Sequence, residues 1–167
     1  ALANGLPLSS VSGRLDLMEQ LAPTGNVAHS GTYSGFLPSV LAALETLRIL
    51  GEPGTYDQIN RTGDEFYSRL QEIFDIHDLP VRVQGMGARF GMYFGVRTPI
   101  ETWSQALGHA HVLHGKFVRG CVERGVYFHA YNRQGAPGHA GFSLAHSAED
   151  FQYTLEVVDA VCADLKR

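Results

Sequence analysis

The spacing of apolar residues changes abruptly at Phe36, and that change limits what this chain can fold into. Residues 1–35 are rich in Gly, Ser and Pro and show little helical periodicity. This is turn-rich chain of the kind that carries sites on a scaffold, and it would not fold alone. Inside it, residues 8–12 suggest one short strand ended by Gly13, and residues 16–21 a single helical turn. From residue 36 onward the pattern is different. Leu37, Val40, Leu41, Leu44 and Leu47 recur at helical spacing to about Leu50, where Gly51 and Pro53 provide a stop.

The remaining residues alternate between two periods. A second helix is expected with Tyr56, Ile59, Gly63, Phe66, Leu70, Ile73 and Phe74 on one face. After Pro80, Val81 and Val83 alternate with Arg82, and beyond a Gly-Met-Gly turn Phe90, Met92, Phe94 and Val96 alternate again, which predicts two paired strands. A third helix is expected over residues 101–124, with Gly125 as its C-terminal stop. Residues 126–129 read as a strand, and Ala140, Phe142 and Leu144 as another. Ser147 with Asp150 resembles a capping box and opens a last helix carrying Phe151, Leu155, Val158, Cys162 and Leu165 on one stripe. Helices gathered around a few short strands give an α+β layer.

Composition narrows the function classes. A chain of 167 residues with 44% hydrophobic and 18% charged residues is long enough for a packed globular core. No apolar run approaches the ~18–20 residues that a membrane span needs. The net charge of −4, with 13 scattered Lys and Arg, argues against a nucleic-acid partner. Cys121 and Cys162 fall at apolar helical positions without C-x-x-C spacing, which favours two buried free thiols in a reducing cytoplasm.

Three segments deserve chemical scrutiny. Ser30-Gly31-Thr32-Tyr33-Ser34-Gly35 is a Gly/Ser/Thr loop leading into a helix, where free N–H groups and hydroxyls meet the positive end of the helix dipole. That suits a phosphate, although such loops also serve as plain N-caps and turns. Gly85 to Gly91 has GxGxxxG spacing, but it lies between strands and reads as a turn in a sheet. His109, His111 and His114 cluster on the third predicted helix. Without a nearby carboxylate or thiol they read as an exposed polar face, and no metal site is assigned.

The run Ala1-Leu2-Ala3-Asn4-Gly5-Leu6-Pro7, the continuation to Arg14, and the Ser30–Gly35 motif together resemble the class III (fold type I) pyridoxal-phosphate enzymes, the group of glutamate-1-semialdehyde aminomutases and ω-aminotransferases. In that family a G-K dipeptide directly precedes A-L-A-N-G-L-P, and its lysine carries the cofactor. The resemblance therefore implies that the chain is a fragment and that the catalytic lysine is the residue before Ala1. No side chain among residues 1–7 replaces that amine. The implied fold is an α/β PLP-transferase of fold type I. Residues 1–35 would end its large cofactor domain, residues 36–50 form a connecting helix, and residues 51–167 form the C-terminal small α+β domain.

The resemblance also implies residue roles. Thr32 would contact the phosphate of pyridoxal 5′-phosphate bound by the neighbouring subunit, with help from Gly31 and Ser30, so a homodimer with shared active sites is expected. The loop from Tyr131 to His139 corresponds to one that helps choose the substrate. There Arg133 either pairs with a substrate carboxylate or is solvated. The aminomutases carry a glutamate where this chain has His139, a departure that favours an aminotransferase acting on small amino-acid and oxo-acid substrates. An aminomutase or racemase of the same fold, and a non-catalytic phosphate- or partner-binding α+β module, remain the alternatives.

Overall fold

A computed structural model describes residues 2–129 and 138–166. The chain divides into two compact units, Ala1–Thr55 and Tyr56–Arg167. The first contains α1 (Leu15–Met18) and α2 (Leu37–Leu50). Residues 8–12 form no strand, in contrast to the alternation read from the sequence; the one pairing described in this unit is an isolated parallel bridge between Leu21 and Val27. Pro38 sits in the first turn of α2, where its missing N–H costs no hydrogen bond. The leucine stripe of α2 is largely open, with Leu37, Leu41, Leu44 and Leu47 between 52% and 63% exposed. The helical spacing read from the sequence corresponds to α2.

The second unit is built around a three-stranded antiparallel sheet. Its elements are α3 (Thr55–Ile76), β1 (Val81–Met86), β2 (Arg89–Phe94), α4 (Trp103–Leu107), α5 (His111–Val122), β3 (Ala140–Gly141) and α6 (Ala148–Leu165), with sheet order β1-β2-β3. The β1–β2 register pairs Val83 with Met92 and Gly85 with Phe90. The core gathers Phe66, Leu70 and Phe74 of α3, Phe90 and Phe94 of β2, Phe117 of α5, and Leu155, Val158 and Cys162 of α6. Phe94 is the hinge of an aromatic triad, 5.6 Å from Phe74 and 5.1 Å from Phe117 between ring centroids.

Helix α3 approaches the β1–β2 hairpin closely enough to touch its backbone. A Cβ on Gly63 would lie 2.3 Å from the Gly87 carbonyl oxygen. That same oxygen accepts a hydrogen bond from the Tyr67 hydroxyl one turn along the helix. Burial, and secondarily the Asp64 carboxylate, push the Tyr67 phenol up to about 12, so it stays a donor.

The predicted third helix is two helices. Thr102 and Gln105 form a capping box at the start of α4, which ends at Gly108. The amide of Ala110 then donates to the Phe94 carbonyl of β2 at 2.6 Å. That tertiary bond takes the N–H from the helical ladder and breaks the helix there. The break also corrects the reading of the histidines. His109 and His114 are buried, with rings 5.4 Å apart, and His114 lies 5.2 Å from Phe94; only His111 is exposed. Residues 126–129 alternate buried and exposed as a strand would, yet they join no ladder among the described residues. The strand expected through Leu144 shrinks to two residues. At α6 the capping box is present: Asp150 N–H donates to Ser147 Oγ at 3.2 Å, and the Asp150 carboxylate accepts from Ser147 N–H at 2.7 Å. Cys121 and Cys162 are free and buried, with burial raising both thiols to about 12.

Two predictions follow from this packing. Gly63→Ala removes a helix-interior glycine, a change worth ~1 kcal/mol of helix stability. The clash with a backbone oxygen outweighs it, so the variant should melt lower, by about 1–3 kcal/mol in denaturant titration. A more stable Gly63→Ala would contradict the close helix–hairpin contact. His114 is held down to about 4 from its ordinary 6.5, by burial first and by His109 second. A depressed histidine is neutral in the fold and protonated in the unfolded chain between those two values. Its contribution is complete above pH 6.5 and disappears as pH falls toward 4, a loss of about 3 kcal/mol at most. Stability measured against pH should fall across that window, and His114→Phe should flatten the step.

Candidate functional site

The two sequence segments that carry the family resemblance line one cleft of about 770 Å³ within the first unit. Pro7, Leu8, Ser9 and Val11 form one side and residues 29–35 the other. The second wall is a tight turn. Ser34 N–H donates to the Gly31 carbonyl at 2.9 Å, and Phe36 N–H to the Tyr33 carbonyl at 3.1 Å. Gly35 adopts φ +70°, a left-handed conformation that favours glycine, and turns the chain directly into α2. Tyr33 and Phe36 meet edge to face at 5.7 Å across the turn.

Ser30, Gly31 and Thr32 are all exposed along this wall. Neither the Ser30 nor the Thr32 hydroxyl has a hydrogen-bond partner among the described residues. At Gly31 a Cβ would come within 3.2 Å of Ser34 Oγ, so the position is already closely filled. Free hydroxyls on a fixed turn, followed at once by a helix N-terminus, are the donor set an oxyanion requires. They fit the phosphate of pyridoxal phosphate.

The other predicted site residues belong to the second unit. His139 is exposed, and its ring runs nearly parallel to that of His129 at 6.4 Å. Arg133 lies outside the described residues. Among the described residues no three His, Cys, Asp or Glu side chains are grouped to hold a metal ion. The sequence reading did not single out Ser9 and His29, both of which line the cleft. Ser9 sits inside the resembling N-terminal run, so its inclusion was within reach. No local pattern marks His29, which arrives there only by preceding the turn.

Comparison with known proteins places the chain in a family. Residues 1–133 match the class-III aminotransferases. The chain is 34% identical over 163 residues to a glutamate-1-semialdehyde 2,1-aminomutase of Nitrosomonas europaea, covering 96% of this chain and 36% of that protein. It therefore spans about a third of the length of that curated relative. Its fold matches an ω-transaminase from Sphaerobacter thermophilus with a TM-score of 0.81 at 18% identity, over 99% of this chain and 37% of the other. It also matches the PLP form of the FumI protein of Sphingopyxis sp. MTA144 with a TM-score of 0.78 at 22% identity, over 99% and 35%. No described helix is long and apolar enough to cross a membrane. With the turn at residues 30–35 and the match over residues 1–133 agreeing, the chain belongs to the class-III aminotransferase family.

Proposed function

We propose that this chain forms part of a pyridoxal-phosphate-dependent aminotransferase that moves an amino group from an amino acid to an oxo acid. The observation that carries the reading is the convergence of residues 7–11 and 29–35 on one cleft with unengaged hydroxyls. Pyridoxal phosphate, when bound, supplies the carbonyl that receives the amino group and a ring that takes up the electron pair of the bond broken beside it.

The residues of this chain would bind and orient. Thr32 and Ser30 hydroxyls donate to phosphate oxygens, the Gly31 amide adds a backbone donor, and the N-terminal dipole of α2 favours the anion. Holding the phosphate fixes the position at which the substrate amine reacts. Asn4 and Gly5, both at positive φ, set the turn that follows the residue before Ala1, where the proton-carrying lysine is expected. Thr32 would serve the cofactor of a neighbouring subunit, which makes the enzyme a homodimer. Arg133 and His139 would receive the substrate carboxylate. The buried free thiols of Cys121 and Cys162 suit a reducing compartment, and we assign the enzyme to the cytoplasm.

The 34%-identical relative favours a second reading, an aminomutase that moves the amine within one molecule. His139 in place of the aminomutase glutamate weighs against it. Full-length protein given a separate amino donor and oxo acceptor should convert both. Isomerisation of a single substrate without net transfer would select the aminomutase instead. In the same assay Thr32→Val should retain the fold but hold cofactor about 10–100-fold more weakly in equilibrium dialysis. Unchanged retention would remove Thr32 from the phosphate site.

A further inference from the structure

A second cavity, in the other unit, combines charge and aromatic surface in a way the fold does not require. It has a volume of about 320 Å³ and opens between α3 and the start of α6. That size falls at the lower end of the ~300–1,000 Å³ typical of small-ligand sites. Its floor is a cage of rings: Phe66 and Phe151 lie 5.0 Å apart edge to face, and Phe142 and Phe151 5.2 Å apart. Leu155 is buried beneath them.

The wall holds Glu65 and Arg69, four residues apart on α3. Glutamate placed one turn before arginine is the arrangement that ordinarily forms an ion pair along a helix. Here it does not. Arg69 Nη2 donates instead to Gln152 Oε1 at 2.8 Å, which ties α3 to α6. Glu65 has no hydrogen bond or ion pair with any described residue. An unpaired carboxylate and a guanidinium with free donors therefore line one pocket, with the polar side chains of Gln58, Thr62 and His146 beside the rings. At this spacing their Cβ atoms are ~5–6 Å apart, close enough for both to address groups on a single carbon.

We infer that this cavity binds a free α-amino acid with an apolar side chain. Glu65 takes the ammonium, Arg69 takes the carboxylate, and the Phe66–Phe142–Phe151 cage takes the side chain. Each charged contact is a charge-assisted hydrogen bond, and loss of either end leaves one protein charge without its partner. The site is separate from the phosphate cleft and does not depend on the proposed transamination. In an enzyme that consumes amino acids it would serve as an effector site.

The test uses full-length protein whose cofactor has been fixed by borohydride, so that the active site no longer exchanges. Calorimetric titration with L-phenylalanine should give one saturable site per chain. N-acetyl-L-phenylalanine and L-phenylalaninamide, each lacking one charge, should bind at least ten-fold more weakly. Glu65→Gln and Arg69→Gln change exposed side chains, so melting should be unaltered while L-phenylalanine affinity falls at least ten-fold in each. Absence of saturable binding would overturn the inference, as would binding of equal strength in both variants. Transamination by the unreduced protein is read separately, so failure here leaves the proposed function untouched.

Discussion

The Gly87 carbonyl at the tip of the β1–β2 hairpin is pressed against the backbone of Gly63 and bonded to the Tyr67 hydroxyl. Much of the second unit depends on that contact. It sets the distance of α3 from the sheet, and Phe66, Leu70 and Phe74 on the same helical face then reach Phe90 and Phe94. With α3 fixed, Phe94 is placed to hold both Phe117 and His114 by its ring and Ala110 by its carbonyl. A polar bond at the rim and aromatic packing beneath it thus define one geometry, since a shift in either would leave a half-buried acceptor without its Tyr67 donor or open a void.

What could be read from the sequence was mostly local chemistry. The capping box of α6 was visible because Ser147 and Asp150 satisfy each other without help from elsewhere in the fold. The hairpin was visible because two alternating runs flank a Gly-rich break, although the turn itself is Gly87–Ala88 and Gly85 and Met86 belong to β1. The break between α4 and α5 was not, because its cause is the Ala110 amide captured by the Phe94 carbonyl of β2, far from it along the chain. The histidines were misjudged for a related reason: polarity suggests a solvated face, whereas the broken helix turns His109 and His114 inward to meet edge to face.

The candidate site divides in the same way. The Ser30–Gly35 motif names its own donors, and residues 1–7 name their family. Nothing in the spacing of either says that Ser9 and Thr32 would face one cleft, which follows from the turn at Gly35 and the path of residues 13–29. The open leucine stripe of α2 shows the limit of periodicity, which specifies that a face is apolar and not what covers it.

The central claim is that the cofactor is tethered at the residue joined to Ala1, while Thr32 reaches the phosphate of the cofactor held by the neighbouring subunit. Borohydride reduction of the full-length protein, followed by proteolysis and mass spectrometry, tests it directly. The account predicts a pyridoxyl group on a lysine whose carboxyl carbon is bonded to the Ala1 nitrogen. A reduced protein without any pyridoxyl group, or with one at another position, would contradict it.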